Sequence, residues 1–93
     1  MAITMIFTVP VTAKQYDEVI QYLENAGVSV PAGLLYHLCF ETGTGLRVVD
    51  VWESQDAFDT FSQTLVPILQ QMGVELGQPD EVAEVHDIIQ GQT

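Results

Sequence analysis

Positively charged side chains are almost absent from this sequence. Its 93 residues include two of them, Lys14 and Arg47, against thirteen acidic ones, and the formal net charge is −11. Proteins neutralise nucleic-acid phosphates with lysine and arginine, and anionic membrane surfaces attract the same side chains. We therefore expect neither a nucleic acid nor a membrane surface as a partner.

Cysteine and long apolar runs are also scarce. Cys39 is the single cysteine, so the chain forms no internal disulfide and has no metal site built from several thiols. No apolar run approaches the roughly 20 residues of a transmembrane helix. Residues 2–9 lack the preceding cation and the following cleavage-like site of a signal peptide. We expect a cytoplasmic protein.

Apolar residues are plentiful by contrast. They make up 47 % of the chain, which favours a folded domain over a disordered segment. The length suits a single domain spanning residues 1–93. Area scaling predicts that about 64 % of the unfolded surface is buried on folding, which is enough for one core with little margin.

Hydrophobic patterns and turn residues predict the order strand, helix, strand, strand, helix, strand. Runs rich in β-branched and apolar residues predict strands at residues 3–9, 33–41, 46–53 and 81–89. Helical spacing predicts one helix after the N-cap Thr12, with Tyr16 on its apolar face, and a second after Ser54 that Pro67 kinks or splits. Two right-handed crossovers place both helices on one face of a four-stranded antiparallel sheet, the ferredoxin-like βαββαβ arrangement of an α+β protein.

The second and third strands are predicted to form a hairpin through a turn at residues 42–45. An even loop pairs Glu41 with Leu46, and the same register brings His37 opposite Asp50. Continuing this register predicts two more pairs, Cys39 with Val48 and Leu35 with Trp52.

Alternation along the strands places these paired residues on one face of the sheet. The other face carries a more uniformly apolar set that is expected to pack on the helices: Tyr36, Leu38, Phe40, Val49 and Val51. The first face is also largely apolar, and no further element remains to cover it. Such a patch is rarely left in water. We therefore expect two sheets to pack face to face in a symmetric homodimer that encloses a cavity.

Several motifs in the hairpin, the second helix and the last strand resemble the dimeric α+β barrel superfamily. They are GLLYH from Gly33, GLRVVDVWES from Gly45, the pair Ala57-Phe58 and the pair Val85-His86. Within the superfamily, nearly the whole chain is similar to the small antibiotic-biosynthesis-monooxygenase-like proteins. The resemblance implies a dimeric α+β barrel, and we expect no cofactor. The superfamily includes monooxygenases, lactone isomerases, stress-response proteins and ligand-binding modules, so the fold alone does not decide the function.

His37 and Asp50 are the candidate catalytic residues. A carboxylate beside an imidazole fixes the tautomer of the ring and supports its action as a general base. The alternative is a structural pair, in which each group satisfies the other in an otherwise apolar cavity.

Five further residues are expected to line the cavity or contact a substrate: Leu35, Cys39, Val48, Trp52 and His86. Trp52 offers a flat wall for an aromatic ligand. Cys39 has no neighbouring cation to activate its thiol, so it is expected to act as a small buried apolar residue. His37 and His86 lie on opposite edges of the predicted sheet, and we expect no metal site.

The haem-degrading members of the superfamily use an asparagine on the first strand, a tryptophan on the third strand and a histidine on the second helix. Trp52 matches the tryptophan, but residues 3–9 contain no asparagine and residues 54–72 contain no histidine. The leading hypothesis is a cofactor-independent monooxygenase acting on an aromatic or polyketide-like molecule, whose carbanion reacts with oxygen. The alternative is a non-catalytic ligand-binding or stress-response module.

Overall fold

The computed structural model describes residues 1–91, and its six elements follow the predicted order. The strands are β1 (Ile3–Val9), β2 (Leu34–Thr42), β3 (Gly45–Trp52) and β4 (Glu81–Glu84), and the helices are α1 (Ala13–Asn25) and α2 (Gln55–Gln71). All strand pairs are antiparallel, and the strand order is β2-β3-β1-β4. This is the ferredoxin-like α+β fold that the sequence predicts.

Capping residues set both ends of α1. The Thr12 hydroxyl accepts a hydrogen bond from the backbone N–H of Gln15, whose side chain accepts one from the backbone N–H of Thr12. This capping box satisfies two N–H groups that have no partner within the helix. The helix ends before Gly27, whose φ of 75° is a left-handed conformation that glycine adopts without a Cβ penalty.

Helix α2 continues through Pro67, so the expected split is wrong. The hydroxyl of Ser54 caps the start of the helix by accepting a 3.1 Å hydrogen bond from Ala57 N–H. Pro67 leaves the carbonyl of Gln63 without a helical donor, but both residues are exposed and water can hydrate that carbonyl. Neither helix of residues 1–91 is long and apolar enough to cross a bilayer.

Both helices cover the sheet face that was expected to be open. Val48 is 7 % exposed and Trp52 is 1 % exposed beneath them. On the uncovered face, three side chains that were expected under the helices are 40–52 % exposed: Tyr36, Leu38 and Phe40. Because both faces are largely apolar, alternation predicts which residues share a face but not which face the helices cover.

The predicted hairpin register is confirmed except at the start of β2. Three predicted pairs form: His37 with Asp50, Cys39 with Val48, and Glu41 with Leu46. The expected pairing of Leu35 with Trp52 is wrong, because an irregularity between Leu34 and Tyr36 makes Leu34 the partner of Trp52. The extra residue of such a bulge has no partner across the ladder, and Leu35 is 48 % exposed.

Strand β4 ends at Glu84, whereas the sequence predicts a strand to residue 89. Its pairing partner, β1, begins at Ile3, which lies opposite Glu84. One more backbone bond follows, from Val85 N–H to the carbonyl of Ala2, at 2.9 Å. The residues after Val85 have no residue of β1 opposite them, so His86 lies past the end of the sheet.

Two clusters of buried residues form the core. The sheet cluster contains Met5, Phe7, Val48 and Trp52. The helix cluster, formed by α1, α2 and the segment after α2, contains Val19, Leu23, Leu69 and Val74. The two clusters do not fill all of the space between the sheet and the helices.

Candidate functional site

A cavity of about 180 Å³ lies between the sheet and the two helices. Members of both core clusters line it, including Phe7 and Val48 from the sheet cluster and Leu23 and Leu69 from the helix cluster. Its polar lining side chains are Tyr16, Ser29, His37 and Asp50. The cavity therefore lies within a single chain, and its expected place between two packed sheets is wrong.

Three of the polar lining residues form a continuous chain of hydrogen bonds, which we name the Tyr–His–Asp chain. The Tyr16 hydroxyl oxygen lies 2.7 Å from Nε2 of His37, and Nδ1 of His37 lies 2.5 Å from Oδ1 of Asp50. A carboxylate oxygen only accepts hydrogen bonds, so Nδ1 of the neutral ring carries the proton. Nε2 is then the acceptor, and the Tyr16 hydroxyl donates to it.

Each member of the chain is held by a different element. Asp50 lies on the central strand β3, between His37 of β2 and Met5 of β1, and is 9 % exposed. His37 lies on the edge strand, and its side chain is 33 % exposed. Tyr16 lies in the first turn of α1, just after the capping box, and its ring is parallel to that of His37 within 1°. The Tyr–His–Asp chain thus connects the buried carboxylate of Asp50 to the partly exposed imidazole of His37.

Burial raises the pKa of the Tyr16 hydroxyl. Desolvation, followed by the charges of Cys39 and Asp50, raises the pKa of Tyr16 from 10.0 to about 12. The hydroxyl therefore stays protonated at neutral pH and remains a donor to His37. Burial also raises the pKa of the Cys39 thiol, which keeps it in the neutral form.

Comparisons with known proteins find matches among solved structures. No protein-family model matches the sequence, and no curated protein shows significant similarity to it. An antibiotic-biosynthesis-monooxygenase-like protein from Deinococcus radiodurans superposes with a TM-score of 0.59 and 16 % identity, over 100 % of both chains. SnoaB, a cofactor-independent oxygenase from Streptomyces nogalater, has a TM-score of 0.53 and 14 % identity, over 95 % of this chain and 94 % of SnoaB.

A third similar structure is a monooxygenase from the gene ActVA-Orf6 of Streptomyces coelicolor, in complex with nanaomycin D. Its TM-score is 0.51 and its identity is 19 %, over 98 % of this chain and 91 % of that chain. This chain has the fold of the antibiotic-biosynthesis-monooxygenase-like proteins. The resemblance seen in the sequence is therefore confirmed at the level of the fold, and at such identities the chemistry must be argued from the site.

Within this antibiotic-biosynthesis-monooxygenase-like fold, three of the predicted site residues line the cavity: His37, Val48 and Asp50. Cys39 packs against the sheet cluster and lies close enough to Tyr16 to affect its pKa. Trp52 lies in the sheet cluster rather than in the cavity wall. Its indole packs on Phe58 and Phe61, at ring-centroid distances of 5.6 and 5.8 Å.

Two predicted cavity residues lie elsewhere. Leu35 is exposed because of the bulge in β2, and His86 is exposed because β1 does not extend far enough to pair with it. Within residues 1–91, no group of three or more His, Cys, Asp and Glu side chains is placed to hold a metal ion.

Tyr16 is the site residue that sequence reasoning missed. The pattern predicts it as a packing residue on the apolar face of α1, and its ring does pack beside the sheet cluster. The available signal was a hydroxyl group on an otherwise apolar helical stripe, because a buried tyrosine hydroxyl needs a hydrogen-bond partner. Its partner, His37, lies 21 positions later in the chain, so local pattern could not identify the pair.

Proposed function

We propose that the protein is a cofactor-independent monooxygenase that removes a proton from a small aromatic or polyketide-like substrate. The observation that carries the proposal is the Tyr–His–Asp chain in the wall of an apolar cavity. A histidine oriented by a carboxylate is a common general base. Similarity of fold to SnoaB, a cofactor-independent oxygenase, supports this reaction class by analogy.

In this proposal, removal of the substrate proton leaves Nε2 of His37 protonated, and Asp50 stabilises the imidazolium that forms. The 2.5 Å hydrogen bond from Nδ1 holds the ring in the tautomer that leaves Nε2 free of a proton. The apolar lining limits competition from water for the reacting groups.

The oxygenation step needs molecular oxygen and a substrate with an activated CH₂ group. Loss of one proton leaves a carbanion, whose electron pair forms a C–O bond with oxygen. The resulting peroxide regains a proton as the hydroperoxide. Loss of the second C–H proton and cleavage of the O–O bond then give a carbonyl and water, so CH₂ and O₂ become C=O and H₂O.

An oxygen electrode tests the proposal with a panel of polyphenols and activated methylene compounds. We expect the wild-type protein to consume one oxygen molecule per substrate molecule and to release water rather than hydrogen peroxide. His37→Gln is expected to lower kcat/KM by about 100-fold or more, the usual contribution of a general base.

His86→Gln is the matched control, because His86 is exposed and lies outside the cavity. We expect this variant to retain wild-type activity. Wild-type protein that consumes no oxygen with any compound of the panel would contradict the proposal. Equal activity of wild type and His37→Gln would contradict the assignment of the base.

We also propose that two copies pair through the uncovered sheet face. Its apolar members are Ile6, Tyr36, Leu38, Phe40, Val49 and Val51. The chain exposes 6425 Å², about 1,000 Å² more than the roughly 5,400 Å² that area scaling gives for a folded monomer of this mass. A standard interface buries about 800 Å² on each partner. The excess over the whole chain is thus larger than the area that one such interface buries on each partner.

A further inference from the structure

The cavity volume limits the size of the ligand. A buried apolar cavity of about 150 Å³ holds benzene, and the cavity here measures about 180 Å³. Phe7 of the sheet cluster and Leu23 of the helix cluster both line it. The two core clusters therefore bound the cavity on two of its sides. One ring with short substituents fits within this volume, whereas three fused rings exceed it and would have to extend out of the cavity into water.

The cavity wall has no lysine or arginine side chain to pair with an anion. The two lysine and arginine side chains of the sequence, Lys14 and Arg47, do not line it. His37 and Asp50 together carry no net positive charge even when the imidazole is protonated. A carboxylate ligand would lose its hydration beside the Asp50 carboxylate and gain no cation in exchange. The lining therefore favours a neutral ligand.

The hydrogen-bond chain determines which polar group of a ligand it can bind. The proton of the Tyr16 hydroxyl is committed to Nε2 of His37, 2.7 Å away. The Tyr16 oxygen keeps lone pairs that accept a hydrogen bond. A ligand hydroxyl that donates to this oxygen adds a fourth group to the Tyr–His–Asp chain.

We propose that the cavity selects a neutral, single-ring phenol or enol, and that Tyr16 is the catalytic residue that contacts its hydroxyl group. The assignment rests on the proposed oxygenase function and names its substrate class. The ligand proton passes to the Tyr16 oxygen while the Tyr16 proton passes to Nε2 of His37. One O–H bond breaks and one forms at Tyr16, which is neutral before and after the transfer, in keeping with its raised pKa. A phenol and its keto tautomer share one conjugate base, so this transfer yields the carbanion that reacts with oxygen.

Calorimetric titrations without oxygen test the ligand class with three probes: resorcinol, benzoate and 2-hydroxyanthracene. We expect resorcinol to bind at least about tenfold more tightly than benzoate, a difference of about 1.4 kcal/mol. The three-ring compound is expected not to bind. Benzoate affinity equal to that of resorcinol would overturn the selection for neutral ligands. Tighter binding of 2-hydroxyanthracene would overturn the size limit.

Tyr16→Phe tests the contact with the ligand hydroxyl. Loss of one hydrogen bond is expected to weaken resorcinol binding by about 3- to 10-fold, while the affinity for toluene is retained and shows that the cavity is intact. Tyr22→Phe is the matched control on the same helix, because Tyr22 is 43 % exposed, and neither affinity should change. Unaltered resorcinol binding by Tyr16→Phe would contradict the role of Tyr16. If Tyr16→Phe also loses toluene binding, the substitution has disturbed the cavity itself. The comparison of resorcinol with benzoate in the wild-type protein then decides the proposal.

The two proposals fail in different ways. Selective resorcinol binding without oxygen consumption would contradict the oxygenase function and leave the ligand class standing. Oxygen consumption with three-ring substrates alone would contradict the ligand class and leave the oxygenase function standing.

Discussion

At the scale of single residues, Asp50 supports the proposed general base. It is the one buried charged or polar residue identified within residues 1–91, at 9 % exposure, and it accepts a hydrogen bond from His37. A hydrogen bond between ionised partners is roughly twice as strong as a neutral one. Asp50 therefore holds the imidazole of His37 in the tautomer that the proposed reaction needs.

Asp50→Asn keeps the shape of the side chain and removes its charge. Loss of about 2 kcal/mol of imidazolium stabilisation is expected to lower kcat/KM by about 30-fold. Oxygen consumption measures the effect. Asp59→Asn, on the exposed surface of α2, is the control and should behave as wild type. An Asp50→Asn variant with full activity would show that the pair is structural.

Tyr16 predicts a pH dependence of stability. Its pKa of about 12 in the folded protein exceeds the ordinary value of 10.0, so the folded state holds this proton more tightly than the unfolded chain. The Tyr16 contribution to the free energy of unfolding is complete below about pH 10 and is lost as the pH rises towards about 12. An absorbance titration should show one tyrosine ionising at higher pH than the others. Tyr16→Phe should remove that late step, and Tyr22→Phe should retain it; ionisation of all tyrosines in one step near pH 10 would contradict the assignment.

At the scale of the elements, Gly33 fixes the approach of β2 to α2. Its φ is 87°, and a Cβ added there would lie 2.5 Å from the Cβ of Ala57. The carbonyl of Gly33 also accepts a 2.8 Å hydrogen bond from the backbone N–H of Glu53. A small residue is thus required both by the backbone conformation and by the close packing.

Gly33→Ala is expected to lower the free energy of unfolding by about 2–4 kcal/mol, the sum of a left-handed backbone and an overpacked contact. Urea unfolding measures the change. Gly27→Ala separates the two causes, because Gly27 also has a positive φ but no atom within 4 Å of an added Cβ. That variant should lose only about 1–2 kcal/mol. Equal losses in both variants would rule out the packing cost at Gly33.

Local chemistry explains which elements the sequence could predict. The capping box at Thr12 and the pairing of His37 with Asp50 depend on neighbours in the chain, and both are confirmed. The side of the sheet that the helices cover depends on the whole topology, so the face that carries Trp52 is covered by the helices instead of open. The contact of Tyr16 with His37 joins α1 to β2 and could not be read from either segment.

At the scale of the whole molecule, the uncovered face predicts the oligomeric state. We expect light scattering at micromolar concentration to give the mass of two chains. Leu38→Asp places a charge in the apolar face, where Leu38 is 43 % exposed, and should yield monomers. Val30→Asp is the control, because Val30 is 84 % exposed in the connection between α1 and β2 and should leave the dimer intact. A monomeric wild-type protein would contradict the pairing.

Net charge adds a second expectation about the dimer. Each chain carries −11, so association brings two strongly acidic molecules together. Salt screens this repulsion, and the dimer should therefore dissociate less at higher ionic strength. Sedimentation at low and high salt measures the difference. Stronger association at low salt would point to an interface held by opposite charges.

The location of a bound ligand shows directly whether substrate binds between the sheet and the helices at the Tyr–His–Asp chain. A crystal structure with resorcinol, prepared without oxygen, provides the measurement. We predict the ring inside the cavity, with one hydroxyl oxygen about 2.7–3.0 Å from the hydroxyl oxygen of Tyr16. Resorcinol on the uncovered sheet face, or in the cavity with its hydroxyl groups away from Tyr16, would show that substrate does not bind at the Tyr–His–Asp chain.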